Sequence, residues 1–455
     1  MRPLTPWVLV AAISVAAPSI AHAQDGDISA DSSVENPLFS DVEAALAQGR
    51  KTVAADLLLE IIEDPAQTTS HAEAHARMGR VLMELDLPYS ALIALEGALD
   101  IDPEAVSASA KDAIILADKV GDTALLEDVF AKNVGLAVDA STRSRMAYLA
   151  AREAHRSANY GTAQAILMMV RDSDPYFPEA MALYGVITTL QGRPTDALKH
   201  FQTALRAGEE HEKGDRFRNV VTLNLARAYY TSENFPRAIE HYAMIDRSSR
   251  QWPEAEFERA WAHFRLQDMN GAIGLLHDHA GPFFVDSYFP EAHLLRVHSL
   301  FMMCKFPEAN LAIDEFDTRY RPQLTELSRV ALLPPQDIFA EMRNHEESGN
   351  SDLPPMVTWF FEEEDRFIDS LTAIRMAEDE MGRLRNISAN PFSLAAMRWV
   401  RDRHDALVTQ EGLRIRGRVA LMADELEQIL NDAEISKLDI MQLETRLYEV
   451  ASMTG

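Results

Sequence analysis

Residues 144–211 read SRMAYLAAREAHRSANYGTAQAILMMVRDSDPYF and then PEAMALYGVITTLQGRPTDALKHFQTALRAGEEH, two stretches of 34 residues on one plan. In each, a small residue (Ala151, Gly185) stands twelve positions before an alanine (Ala163, Ala197), and a bulky one (Leu167, Phe201) stands four after it. The triplet recurs outward along the chain: Gly79, Ala91 and Leu95; Ala226, Ala238 and Tyr242; Ala260, Ala272 and Leu276; Val297, Ala309 and Ile313. Only Val297 departs from the small residue. Two helices of a hairpin cross closely where small residues face each other, and the bulky side chain then fills the gap to the next hairpin. A spacing of 34 residues is the period of a helix-turn-helix solenoid.

Pro103 and Pro175 follow their alanines by twelve residues, and Pro178, Pro253 and Pro290 open later units, where a missing N–H is tolerated in the first helical turn. Together these positions resemble the tetratricopeptide repeat (TPR) family over segments 72–105, 144–177, 178–211, 219–252, 253–286 and 290–323. Segments 36–71 and 106–143 have the same hairpin length, with Ala55 and Leu125 near the alanine position, in a degenerate form. The resemblance implies an all-α fold: a TPR-like α-solenoid of six to eight helix hairpins over 38–323. A last hairpin leaves an apolar face to be covered, and beyond Pro322 the code stops.

From there we expect a C-terminal helical domain over 324–455, with helices near 324–347, 356–387, 392–431 and 433–452. The stretch His345–Asp352 with Pro354 and Pro355 is its clearest break. Phe360, Phe367, Leu371, Ile374 and Met381 lie in the narrow seam of a helix packing on a partner helix, which reads as an antiparallel bundle or short coiled coil.

Arg2, the apolar run from Trp7 to Ile20 and Ala21-His22-Ala23 compose a removable leader, so 1–23 is expected to be cleaved before Gln24. A membrane anchor needs roughly 20 apolar residues, and this run is shorter and contains Pro18. Residues 24–37 are acidic, small and aperiodic, the composition of a flexible tether. Their Asp25, Asp27, Ser29 and Asp31 alternate like a calcium loop, but Ala30 and Asn36 stand where that loop needs glycine and glutamate. An exported chain with one cysteine, Cys304, relies on packing rather than disulfides and suits a bacterial periplasm. Cys304 is expected to be a buried small hydrophobe rather than a reactive thiol. The net charge of −28 disfavours nucleic acid and anionic lipid as partners, and no later segment is apolar for long enough to span a bilayer.

No nucleophile elbow, phosphate loop, CxxC or dinucleotide fingerprint occurs. In HAEAH, His71 and His75 share a helix face, but Glu73 is one residue too late to serve a zinc-bound water. His277 and His279 diverge by about 200° on a helix. We therefore expect no enzyme, no metal and no cofactor.

The resemblance implies that the first helix of each unit lines a groove. At the matching positions stand Tyr148 and Arg152 in one unit, Arg227 and Tyr230 in another, Phe257, Trp261, Phe264 and Arg265 in the next, and His298 and Phe301 in the last. Aromatic residues with arginine are the composition of protein-binding hot spots, which points to a peptide or helix of an envelope protein. The alternatives are that these side chains pack on neighbouring helices or that the C-terminal helices fold back onto them. The family's clamp for acidic C-terminal tails lacks its lysine and asparagine here. A second candidate is a basic stripe from Gly382 to Ala420, where eight arginines, among them Arg398, Arg401, Arg403, Arg414, Arg416 and Arg418, oppose three carboxylates. It either docks an anionic partner or pairs with acidic groups of this chain or a second copy. The expected role is a periplasmic scaffold binding another envelope protein. The alternative is a structural subunit of a motility, secretion or Tol-Pal-like machine, forming a homo-oligomer through the C-terminal helices.

Overall fold

The structure, a computed structural model, describes residues 37–279, 288–362 and 364–454. The leader expected over 1–23 and nearly all of the tether over 24–37 lie outside the described residues. Every regular element among the described residues is helical. The first sixteen α-helices succeed one another as hairpin-sized pairs: α1 Ser40–Ala47 and α2 Lys51–Glu63; α3 His71–Glu84 and α4 Pro88–Ile101; α5 Ser109–Val120 and α6 Ala124–Lys132; α7 Ala140–Arg156 and α8 Tyr160–Leu167; α9 Phe177–Leu190 and α10 Pro194–Glu210; α11 Asp215–Thr231 and α12 Phe235–Tyr242; α13 Trp252–Arg265 and α14 Met269–His279; α15 Pro290–Met302 and α16 Phe306–Val330. Four more follow: α17 Pro335–Ser348, α18 Pro355–Glu362, α19 Asp365–Asn386 and α20 Pro391–Thr454.

The alanine code is the packing code of these hairpins. Ala91, Ala163, Ala197, Ala238, Ala272 and Ala309 are all completely buried, and so are the bulky partners four residues on. At the α3–α4 crossing, a Cβ added to Gly79 would lie 2.6 Å from Leu95 Cγ and 3.3 Å from the Ala91 carbonyl oxygen. Nothing larger than glycine fits there without displacing Leu95.

The turns obey a second rule that the residue types conceal. Five positions before each of the six alanines, Asp86, Ala158, Gly192, Glu233, Gln267 and Cys304 all adopt left-handed backbone, with φ between +55° and +74°. The next N–H then reaches back five residues: Leu87 donates to Leu82 O (2.9 Å), Asn159 to Ala154 O (2.8 Å), Asn234 to Tyr229 O (2.9 Å) and Lys305 to Leu300 O (3.0 Å). This is the Schellman closure, which satisfies the last carbonyls of the first helix. Cys304 is accordingly exposed at the tip of a turn, which corrects the expectation of a buried thiol at the helix crossing. By the same rule the turn glycines Gly49 and Gly121 place Ala54 and Leu126 at the alanine position, one residue from Ala55 and Leu125.

Three of the C-terminal boundaries also differ from expectation. Pro322 lies inside α16, which continues to Val330. No glycine or proline interrupts the stretch around residue 432, so the two last helices expected there are one helix of 64 residues. The expected 356–387 helix is instead divided around the acidic run 362–365, which is unfavourable at a helix C-terminus and favourable at the following N-terminus.

Compactness divides the described residues into two units, and the boundary does not fall at residue 324. One unit joins residues up to Ile187 with Ile368–Leu407, and the other joins Thr188–Phe367 with α20 from Val408 onward. Each unit has its own stretch of the C-terminal helices.

In the first unit that stretch is held by reciprocal helix caps. The carboxylate of Glu380, on α19 and fully buried, accepts the N–H groups of Tyr89 (2.7 Å) and Ser90 (2.8 Å) and the Ser90 hydroxyl (2.5 Å), the free donors at the start of α4. Asp56 on α2 accepts the Phe392 N–H (2.9 Å) at the start of α20. Both placements put a carboxylate at the positive end of a helix dipole. Beside them Asp122 receives the Tyr89 hydroxyl (2.6 Å) and two bonds from Arg403 (2.7 and 2.8 Å).

Candidate protein-binding surface

The groove residues divide between the two units, and most are already engaged within the chain. In the unit containing α7, Tyr148 is buried and stacks on Tyr176 at 5.9 Å. Arg152 lies over the Tyr148 ring and pairs with Glu127 at 3.1 Å. Burial raises the Tyr148 phenol above its ordinary range. Tyr148 offers no free surface to a partner, so the packing alternative holds for it, while the Arg152 side chain stays 33% exposed.

In the other unit, Arg227 is buried, donates through Nε and Nη2 to Glu258 (2.7–3.0 Å) and pairs with Glu254 at 2.6 Å. Burial alone would lower its pKa, yet the two carboxylates hold it above the usual arginine value. Burial raises the Glu258 carboxyl, against the pull of Arg227. This knot ties α11 to α13, and Arg227 is a packing residue rather than a partner's anchor. Tyr230 is likewise buried, edge-on to Phe235 at 5.3 Å.

Further along the same face, the C-terminal helices of the unit are the neighbours. Phe257 meets Phe289 at 5.8 Å, and Phe289 meets Trp359 of α18 at 5.6 Å. His298 faces the Ser436 hydroxyl of α20 at 3.2 Å, and burial lowers its pKa to about 4. Phe301 packs edge-on to Phe306 at 5.8 Å within its own hairpin. The expectation of an open groove is thus corrected at His298, which α20 faces, while Phe257 is half-buried against Phe289. Trp261 and Phe264, edge to face at 5.7 Å, remain partly open beside the exposed Arg265, which lies over the Phe235 ring.

No curated protein matches the chain. Among solved structures it is similar, at 13% identity, to a tetratricopeptide repeat protein from Parabacteroides merdae ATCC 43184, over 62% of this chain and 92% of that one with a TM-score of 0.29. At 13% identity it is also similar to a Rap protein complexed with competence and sporulation factor, over 84% of this chain and 98% of that one with a TM-score of 0.32. A third, Naa15/Naa10 bound to HypK-THB, gives 13% identity over 91% of this chain and 62% of that one, with a TM-score of 0.36. Residues 223–282, which contain α12, α13 and the Trp261 cluster, match the Tetratricopeptide repeat family. The helices of that stretch match tetratricopeptide repeats.

The TPR fold is that of a protein–protein interaction scaffold. Among the described residues no helix is long and apolar enough to cross a membrane, and no group of three His, Cys, Asp or Glu could hold a metal ion. The basic stripe is resolved mostly in favour of self-pairing. Arg403 binds Asp122, Arg414 binds Glu411 (2.5 Å) and Glu364 (2.6 Å), and Arg418 reaches Glu425 (3.4 Å) and lies over the Phe360 ring. These three arginines are structural. Arg416 is half-buried, while Arg398 and Arg401 are exposed, Arg398 at 3.9 Å from Glu63. Sequence reasoning missed Glu380 and Asp56, whose partners lie hundreds of residues away. The only signal was a proline at the start of each helix they cap.

Proposed function

We propose that the chain is an exported, non-catalytic TPR scaffold of a bacterial envelope that captures a segment of another envelope protein on the α13 face. The observation that carries this reading is the Trp261–Phe264 pair beside the exposed Arg265, the part of the groove face that the chain's own C-terminal helices leave accessible. Large rings bury much area at low entropy cost, and a guanidinium offers planar donors to carboxylate or backbone. The leader-like residues 1–23 support a periplasmic location. Protein recovered from the periplasm should then begin at Gln24, and an intact Met1 on a membrane-bound chain would overturn the location.

The partner reading is tested by placing a photo-cross-linking residue at Trp261 in the full chain. A single envelope protein should be trapped, and the adduct should be lost with Phe264→Ala and Arg265→Ala. Unselective labelling, or none, overturns it. The contacts of Phe289 with α18 and of His298 with α20 favour a second reading, a structural subunit of a larger envelope machine, for which the adduct would be a second copy of this chain.

A further inference from the structure

We propose that the outward face of α20 between Gly417 and Gln442 is a docking seam for a basic amphipathic helix of a partner protein. This surface is separate from the α13 face and does not depend on it. Leu421, Ile435 and Leu438 are 54%, 55% and 58% exposed. With Gly417, Asp424, Gln428 and Asn431 they fall at alternating intervals of four and three residues, which aligns them in one stripe about 30 Å long. Scattered exposed leucines are ordinary, but here three large apolar side chains share a stripe whose other members are mostly small or uncharged. A Cβ added to Gly417 would meet nothing within 4 Å, so the stripe is open there.

The helix cannot roll to hide this stripe, because its opposite face is fixed. Met422, Leu426, Ala433 and Ile440 are buried. The Tyr288 hydroxyl donates to Met422 O (3.1 Å), Arg321 binds Glu434 (2.7 Å) and Lys437 binds Asp314 (2.6 Å).

Charge selects the occupant. Asp424 interrupts the seam, and Glu427 and Asp432 flank its two sides, all three exposed and without an ion pair among the described residues. A second copy aligned on this face would set acidic flank against acidic flank, which opposes pairing. A helix with leucine or isoleucine on its stripe and lysine or arginine beside it meets both requirements, apolar at the centre and opposite in charge at the rim.

The test uses the full chain and three synthetic 28-residue helical peptides: leucine stripe with lysine flanks, leucine stripe with glutamate flanks, and serine stripe with lysine flanks. By fluorescence anisotropy the leucine–lysine peptide should bind at least about tenfold more tightly than either other peptide, and more weakly as salt rises. Ile435→Glu with Leu438→Glu, both at exposed positions, should remove that binding while the melting curve is kept. Should that pair disturb folding, Asp424→Lys, Glu427→Lys and Asp432→Lys together should reverse the preference toward the glutamate-flanked peptide. Equal binding of the serine–lysine peptide, which would report only a diffuse acidic field, overturns the proposal. So does unchanged binding by the stripe or charge variants, or a dimer of the chain alone that the stripe variant dissolves. Loss of Trp261 cross-linking leaves this result untouched, so the two surfaces fail or stand separately.

Discussion

Three positions per hairpin, the small residue, the alanine and the bulky residue, carry the packing code at the scale of single residues. The crossing at Gly79 sets helix propensity against packing. In a helix interior, alanine is favoured over glycine by about 0.5–1 kcal/mol, so propensity alone predicts that Gly79→Ala stabilises. The contact with Leu95 Cγ at 2.6 Å decides otherwise, and we expect a loss of about 1–3 kcal/mol from overpacking. Gly417→Ala, where no atom lies within 4 Å, should gain the propensity term. Opposite signs in thermal melts would confirm the crossing, and equal signs would refute it. At the turns, Ala158 sits at φ +55°, where an L-residue is strained by about 1 kcal/mol. Ala158→Gly should raise the melting midpoint by a similar free energy.

At the scale of elements, what joins distant stretches is the unmet hydrogen bonding at helix starts. The first turn of α4 opens with Pro88, and its next two N–H groups have no intrahelical acceptor. Glu380 supplies one from 290 residues away. Replacing it by glutamine keeps the shape but removes the charge that the helix dipole favours and gives a group that can no longer accept all three donors. Glu380→Gln should cost about 1.5–3 kcal/mol. Denaturant melts of the full chain, read against Ser90→Ala as the milder control, check it. An unchanged midpoint would mean that α19 is held by its apolar seam alone.

For the whole molecule, acidity and packing combine in a pH dependence. Glu291, at the start of α15, has its carboxyl raised to about 7, first by burial and then by the charge of Glu425, with Arg418 opposing. The sign follows from linkage: the folded state holds this proton more tightly than the unfolded chain, so its contribution is fully present below the unfolded value of about 4.5 and is lost as pH rises to about 7. Glu291→Gln removes the titration. The variant's melting midpoint, compared with the parent, should therefore improve steadily between about pH 4.5 and 7 and then level off. A constant difference across that window would show that Glu291 does not titrate there. The depressed carboxyls of Asp246 and Asp268 act in the opposite sense at lower pH and leave this difference untouched.

The sequence by itself determined the repeat. The alanine spacing needed only neighbouring helices of one hairpin, so Ala91, Ala163 and their equivalents were legible one unit at a time, as were the prolines that open helices. The absence of familiar catalytic motifs was legible in the same way. The left-handed turn was not, because five of its six positions carry Asp, Ala, Glu, Gln or Cys instead of glycine, and backbone strain leaves no mark on residue type. Nor could local pattern separate a groove arginine from a packing one. Arg227 and Arg265 occupy equally plausible groove positions, and only tertiary structure places Glu254 and Glu258 around the first and leaves the second exposed. Glu380, Asp56 and Asp122 were unreadable for the same reason: an acidic side chain looks alike on a solvated face and beneath a helix start. Burial distinguishes them, and burial is a property of the folded chain.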